Sequence, residues 1–321
     1  MGETRLIGFI GLGNVGGKLA GNYARSEQAM QVHDLDAEAM APLLALGAAA
    51  GAGPAEMMRA CDIVITCLPS PAASAAVLEG PGGLLEGMGP GKIWMEMSTT
   101  DAAEVRRLGA LVEARGGRAA DCPVSGGCHR AATGNIAILA GCDRATFEAI
   151  LPVLTVLGRD VLHAGGLGDA SVLKVVTNYL ATANLVSLTE ALTVAAGAGM
   201  DLGTTYEAIR ISSGNSFVHE TESQVILNGS RRIDFTMDLV QKDVGLFEEV
   251  AARAGVPLEL APLLTQVFAD GAARFGGRAQ SPSIIRRLEE ATGLDVRAPG
   301  FPADMADEEP PGPGREIAAR R

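Results

Sequence analysis

Short runs of β-branched and other apolar residues alternate with stretches of helical periodicity through the first half of the chain, which predicts a parallel sheet wound with helices. Strands are expected at residues 6–10, 30–34, 62–68, 92–97, 118–121 and 135–140, with helices at 18–25, 37–46 and 102–115, each closed by glycine or polar residues. Past Val161-Leu162-His163-Ala164-Gly165-Gly166 the pattern becomes almost wholly helical. A segment over 169–198 keeps apolar residues on nearly every face, among them Val172, Val175, Val176, Leu180, Leu185, Leu188 and Leu192. Such a helix is expected to be buried by other helices or by a second subunit, as a homodimer or homotetramer. Further helices are expected at 204–211, 219–227, 237–253, 259–275 and 282–292. Beyond Val296 the chain turns to Pro, Gly and acidic residues, as in Glu308-Glu309-Pro310-Pro311-Gly312-Pro313, a composition that cannot build a core of its own. The expected organisation is an α/β domain over 1–164, an all-helical domain over 165–295 and a tail over 296–321.

Composition narrows the function classes. A chain of 321 residues is right for two domains, and its net charge of −12 repels nucleic acid and anionic membranes. Single lysines and helix N-termini still leave room for a small anionic ligand. No apolar stretch approaches the ~20 uninterrupted residues of a membrane span, and residues 1–11 read as a first strand instead of a targeting segment. The five cysteines, Cys61, Cys67, Cys122, Cys128 and Cys142, are odd in number and unevenly spaced, which fits a reducing cytoplasm. With the four histidines scattered, no metal-ligand spacing is present and no metal is expected.

Gly11-Leu12-Gly13-Asn14-Val15-Gly16 follows the first expected strand and opens a helix, the context in which GxGxxG marks a dinucleotide site. Gly11 permits the tight turn, Gly13 lets backbone approach a pyrophosphate, and Gly16 brings helix close to strand. The domain is therefore expected to be a Rossmann-type, doubly wound sheet. Asp34, ending the second strand at about the ~20-residue interval of a ribose-binding carboxylate, is expected to hold the adenosine ribose. A carboxylate there repels a 2′-phosphate, and Leu35 and Asp36 bring no arginine to hold one, so NAD is expected over NADP. The competing reading has Asp36 capping the next helix and Asp34 merely exposed. Leu68-Pro69-Ser70 and Met97-Ser98-Thr99-Thr100 follow two further strands, at the carboxyl ends where open α/β sheets bind ligands, and are expected to line the cofactor groove. Ser98, Thr99 and Thr100 are equally good caps for the helix at 102–115.

Asp121-Cys122-Pro123-Val124-Ser125-Gly126-Gly127 places a hydroxyl and exposed backbone N–H groups after another strand, a nest suited to a carboxylate; an ordinary turn is the alternative. Further on, Lys174 and Asn178 stand four residues apart, on one helix face. Lysines usually sit in solvent, but burial beside a cofactor lowers a lysine's pKa towards neutrality and suits it to proton transfer.

In this order, Gly11-Leu12-Gly13-x-x-Gly16, Leu68-Pro69, Met97-Ser98-Thr99-Thr100, Asp121-x-Pro123-Val124-Ser125-Gly126-Gly127, Lys174-x-x-x-Asn178 and Lys242-Asp243, the chain resembles the β-hydroxyacid dehydrogenase family over about residues 6–292. The resemblance implies NAD-linked oxidation of a small hydroxy acid to its semialdehyde, or the reverse. Ser125, Gly126 and Gly127 would bind the substrate carboxylate, Lys174 would be the general acid/base, Asn178 would orient the substrate, and Lys242 would close the site from the helical domain. For Lys242 the alternative is pairing with Asp238 or Asp243 on the helix surface. Three departures stand out. Cys128-His129-Arg130-Ala131-Ala132-Thr133-Gly134-Asn135 replaces the family's usual run of small residues and a frequent Thr-Leu becomes Asn135-Ile136, leaving the substrate open, and Tyr179 stands where many relatives have a second asparagine. Arg130 is read as facing solvent or a carboxylate, ahead of a role as a second anion contact. An imine reductase or a non-catalytic dinucleotide-binding protein on the same scaffold is the rival reading, against which Lys174 and Asp34 both speak.

Overall fold

Ten strands, β1 (Ile7–Ile10), β2 (Met30–His33), β3 (Ala49–Ala50), β4 (Ile63–Thr66), β5 (Ile93–Glu96), β6 (Arg118–Asp121), β7 (Val124–Ser125), β8 (Ala137–Gly141), β9 (Asp160–Gly165) and β10 (Arg315–Ile317), join in one sheet. The structure is a computed structural model that describes residues 5–318; Met1 to Thr4, at the head of the expected first strand, and the last three residues of the expected tail lie outside the described residues. The strand order is β10-β9-β8-β6-β5-β4-β1-β2-β3, with β7 paired to β8. Neighbours run parallel except at β6–β8 and β7–β8, which are antiparallel. The doubly wound sheet expected from the sequence is thus parallel in the main, with one reversal beside the Asp121–Gly127 segment. Chain order also switches at β1, which lies between β2 and β4; open α/β sheets place ligands at such a switch.

Seven helices belong to this sheet: α1 (Gly16–Arg25), α2 (Ala37–Ala45), α3 (Pro54–Ala60), α4 (Pro71–Glu79), α5 (Ala102–Glu113), α6 (Gly127–Thr133) and α7 (Arg144–Leu157). The strands read as unbroken apolar runs because both faces are covered. Ile63, Ile65, Ile93 and Met95 join the core that includes Leu19 and Tyr23 of α1 and Phe147 and Ile150 of α7. Val64 and Trp94, one residue out of step, join Met58 of α3, Leu78 of α4 and Leu108 of α5 on the other face. Short Ala- and Pro-rich segments such as α3 and α4 carry no strong helical period, which is why the sequence pattern alone misses them.

A second compact unit, from Val175 to Ala306, is helical. It contains most of α8 (Asp169–Gly197), then α9 (Leu202–Arg210), α10 (Phe217–Asn228), α11 (Met237–Ala254), α12 (Leu260–Phe275) and α13 (Arg286–Thr292). Leu185, Leu188 and Leu192 of α8 join a core with Ile226, Val240, Val244 and Phe268, so one side of this 29-residue helix serves a helical core, while Leu173, Leu180 and Val194 are exposed. Asp201 and Ser216 cap α9 and α10 by accepting from the Thr204 and His219 N–H groups.

Two features differ from the expected organisation. The units divide at Lys174, ten residues into the sequence-defined helical domain, so the first unit keeps the start of α8 and Lys174 itself. Nor does the chain beyond Val296 behave as a tail. Val296 is fully buried in the helical core, and Phe301 meets Tyr206 edge-on at 5.1 Å. From Asp307 the chain belongs to the first unit, where β10 pairs with β9. A Pro/Gly/acidic segment builds no core of its own, but it can dock on one already made.

Trp94 is fully buried, with its indole N–H donating to Thr66 Oγ1 at 2.9 Å. Trp94→Ala is expected to cost about 3–5 kcal/mol in denaturant unfolding; a loss below about 1 kcal/mol would contradict this packing.

Candidate active site

The loop between β1 and α1 is built as a cofactor cradle. Gly11 has φ +91°, and a Cβ there would lie 2.4 Å from the Cys67 carbonyl; one on Gly16 would lie 2.1 Å from the Gly11 carbonyl. Around Gly13 nothing lies within 4 Å, and Gly13 and Asn14 are exposed. Backbone is therefore packed tightly at two glycines and open at the third, which fits a pyrophosphate approaching Gly13. Helices α2, α4, α5 and α7 begin with Asp36, Ser70, Asp101 and Asp143 as side-chain caps. At the start of α1, by contrast, Val15 offers no side chain to the first turn and no acid follows it, leaving the helix start suited to an anion. Asp34 holds the loop in place. One of its oxygens accepts from the Leu12 N–H at 2.6 Å, the other from the Asp36 N–H at 2.9 Å. Asp36 is the α2 cap, as the competing reading held, yet Asp34 is half-buried and engaged.

The two neighbouring loops are fastened together from below. Ser98 Oγ accepts from the Leu68 N–H at 2.7 Å and donates to Glu96, which also accepts from the Ser98 N–H at 2.8 Å. Glu96 is fully buried, and burial pushes its carboxyl above the ordinary range despite hydrogen bonds from serine and threonine hydroxyls. Ser98, 3% exposed, is thus a tie between the loops, leaving Leu68, Pro69, Ser70 and Thr99 as the accessible members. Capping of α5 falls to Asp101, which accepts from Glu104 N–H at 2.8 Å, and not to Ser98, Thr99 or Thr100.

Asp121 is the residue the motif reading passes over. It is fully buried at the end of β6 and accepts from Gly168 N–H at 2.8 Å, Ser171 N–H at 2.7 Å and Ser171 Oγ at 2.9 Å. The first turn of α8 is thereby tied to the strand that leads into Ser125-Gly126-Gly127. Arg106 of α5 adds a second tie, to Asp169 at 3.0 Å and to the Leu167 carbonyl at 2.9 Å. Three residues after Ser171 comes Lys174, only 7% exposed. Gly126 and Gly127 have φ of +129° and +84°, a conformation open to glycine and strained for other residues.

Within the helical unit, Asn178 Nδ2 donates to Asp243 Oδ2 at 2.5 Å, and Lys242 Nζ pairs with Asp243 Oδ1 at 3.0 Å. Asp243 is 2% exposed, so Asn178 and Lys242 share one buried carboxylate. This is the Asp243 pairing weighed for Lys242, while Asp238 takes Arg278 instead. Tyr179 stacks on Phe247 at 4.2 Å, which makes its departure from the family pattern a matter of packing. In the first unit, Arg130 lies 3.5 Å from the carboxylate of Glu309.

Residues 6–166 match the profile described as the NAD-binding domain of 6-phosphogluconate dehydrogenase, and residues 168–288 match that of the NAD-binding region of NADP-dependent 3-hydroxyisobutyrate dehydrogenase. The chain is 35% identical over 297 residues to 2-(hydroxymethyl)glutarate dehydrogenase of Eubacterium barkeri, covering 92% of this chain and 99% of that one. It belongs to the β-hydroxyacid dehydrogenase family. The crystal structure of a 3-hydroxyisobutyrate dehydrogenase from Salmonella typhimurium aligns at a TM-score of 0.81 with 28% identity, over 88% of this chain and 99% of that one. The human cytokine-like nuclear factor N-PAC is 30% identical over 82% of this chain, which spans only 47% of that protein.

NAD(P)-dependent oxidation at a CH–OH group is the chemistry of this family of dehydrogenases. Three of the groups into which the expected site residues fall lie in the first unit: the glycine loop with Asp34, the Leu68–Ser98 tie, and the Ser125-Gly126-Gly127 turn, whose strand Asp121 fastens to the helix of Lys174. Asn178 and Lys242 form a fourth, around Asp243. Asp121 and Asp243 both stand inside the quoted motifs, as the acid opening one and the acid closing the other. For Asp121 the signal is an acid between apolar Ala120 and Cys122; Asp243, after Gln241 and Lys242, carries no such signal.

Asp121→Ala leaves two buried N–H groups at the start of α8 without acceptors. Amide exchange at Gly168 and Ser171 is expected to rise roughly a hundredfold; unchanged exchange in a folded variant would show that Asp121 does not hold this helix.

Proposed function

We propose that this enzyme interconverts a small β-hydroxy acid and its semialdehyde with NAD, using Lys174 as the general acid/base. The observation that carries the reading is the burial of Lys174 at the family's Lys-x-x-x-Asn position, on a helix fastened by Asp121 to the strand leading into the acid-binding turn. A buried lysine needs a reason to be there, and proton transfer supplies one.

Gly11, Gly13, Gly16 and the uncapped start of α1 would hold the pyrophosphate of the dinucleotide, and Asp34 the adenosine ribose, with Leu68, Pro69 and Thr99 along the groove. When bound, that cofactor supplies a two-electron hydride acceptor or donor. The remaining work is done by this chain's residues. The Ser125 hydroxyl and the N–H groups of Gly126 and Gly127 grip the substrate carboxylate and fix the position of the neighbouring carbinol carbon. During oxidation the ε-amine of Lys174 takes the hydroxyl proton; during reduction its ammonium returns that proton to the aldehyde oxygen. Asn178, one helical turn on and held by Asp243, orients the substrate oxygen, and Lys242, paired with the same carboxylate, contributes positive charge on the helical side. NAD is favoured over NADP because Asp34 would face a 2′-phosphate with like charge and Leu35 and Asp36 offer no cation. A homo-oligomer is proposed as well, from the exposed Leu173, Leu180 and Val194 along α8; light scattering in solution decides it.

Two measurements test the reading. Lys174→Ala is expected to lower kcat at least about a hundredfold on the best substrate among 3-hydroxyisobutyrate, 3-hydroxypropionate, serine, glycerate, threonate, 4-hydroxybutyrate and 2-(hydroxymethyl)glutarate, while NADH affinity stays within about twofold. Turnover surviving within a few-fold would remove Lys174 from the proton-transfer role. With the wild-type enzyme, kcat/KM is expected to be at least about tenfold higher for NAD than for NADP, and Asp34→Ser to narrow that ratio; equal use of both would overturn the cofactor assignment.

A further inference from the structure

The stretch from Cys128 to Asn135, where this chain leaves its family's pattern, is the stretch its C-terminal segment grips. Between β7 and β8 the chain makes the Ser125-Gly126-Gly127 turn, runs through α6, and returns at Asn135 to enter β8, where Ala137 pairs with Ser125. The base of this excursion is closed by the β7–β8 pairing. Its far end, Thr133-Gly134-Asn135, has no strand to hold it.

Asn22 and Arg25 of α1 donate to the Ala131 and Ala132 carbonyls at 2.7 and 3.2 Å, and Asp307 holds the residues that follow. Its Oδ2 accepts from Thr133 Oγ1 and from Asn135 Nδ2, the latter at 2.6 Å, and its Oδ1 accepts from the Glu309 N–H at 3.2 Å. Asn135, 4% exposed, sends the same Nδ2 to the Glu309 carbonyl at 2.7 Å, while its Oδ1 accepts from Arg159 at 3.3 Å. The Glu309 carboxylate bridges two cations, Arg159 at 2.8 Å and Arg130 at 3.5 Å. Arg130 reaches the turn itself, because its Cδ lies 3.2 Å from where a Cβ on Gly126 would be. Burial raises the Asp307 carboxyl, but the hydrogen bonds from Thr133 and Asn135 outweigh it and keep the group below the ordinary carboxylate range.

The gripping segment has a fixed base of its own. Arg315 N–H donates to the Arg159 carbonyl at 2.7 Å as β10 joins β9, Arg144 holds Glu316 through two contacts of 2.6 and 3.1 Å, and Arg315 pairs with Asp160 at 2.9 Å. A Cβ on Gly314 would lie 2.3 Å from the Thr155 carbonyl and 2.4 Å from that of Gly158, so the segment meets the end of α7 backbone to backbone.

We propose that residues 307–317 are a clamp on the acid-binding turn, and that Asp307 is a positioning residue for substrate binding acting through Thr133 and Asn135. The proposal rests on the reading that Ser125, Gly126 and Gly127 bind the substrate acid. It gives the Thr133 hydroxyl and the Asn135 amide a shared role, as the clamp's receiving side.

The test uses the full chain carrying Asp307→Ala, Asn135→Ala, or both, each checked for folding by circular dichroism and thermal unfolding. In Asp307→Ala, hydrogen exchange of amides over residues 126–135 is expected to rise about tenfold or more, with β1 and β4 amides unchanged. KM for the hydroxy acid is expected to rise about tenfold with kcat within about threefold and NADH affinity within about twofold, and the double variant to be no worse than the worse single one. Unchanged exchange at 126–135 in folded Asp307→Ala overturns the clamp, and faster exchange with an unchanged KM in an active enzyme overturns the positioning role. A wild-type enzyme inactive on every hydroxy acid sinks the functional reading alone, because the exchange measurement still decides the clamp.

Discussion

A fully buried carboxylate with three donors holds the end of the sheet and the start of α8 in register. Asp121 ends β6, and the groups it accepts from open α8, so the strand leading into the Ser125–Gly127 turn and the helix of Lys174 are set by one side chain. Burial raises the carboxyl above its ordinary range, while the donors from Gly168 and Ser171 favour the charged form. Removing such a group exposes the full desolvation cost of its partners, which is far more than the net worth of the bonds while intact. A tie of this kind lets a parallel sheet set the position of a helix that follows it.

The same device recurs at lower stakes. Asp34 joins the glycine loop to the end of β2, Glu96 and Ser98 join the loops after β4 and β5, and Asp243 joins α8 to α11. Each is an acid spending its oxygens on backbone or side-chain donors of a neighbouring segment. The loops of the site are therefore positioned from beneath by polar ties, and the apolar cores on either face of the sheet need only hold the strands.

Much of this was legible in the sequence, for identifiable reasons. The apolar runs of β1, β4 and β5 and the Gly11–Gly16 spacing carry their meaning locally, and the order of motifs is specific enough to give the family. What escaped was non-local. Nothing near Asp121 announces that its partners lie at Gly168 and Ser171. Ser98 looks like a helix cap because it stands four residues before α5, yet Asp101 is nearer and Ser98 is used across the sheet by Leu68. The acidic, proline-rich end of the chain has the composition of a solvated tail, and only the folded sheet offers Arg144, Arg159 and the free side of β9 to receive it. Composition reports whether a segment can make a core, and is silent on whether it can join one.

Without β10, the sheet would end on β9, whose Val161 and Leu162 would present unpaired backbone beside apolar side chains. With it, the border is a three-residue strand bearing Arg315 and Glu316, both already engaged with Asp160 and Arg144. At the opposite border stands β3, two alanines long. Short and charged borders are poor templates for another chain's strands, so the C-terminal segment also guards the protein against edge-to-edge aggregation.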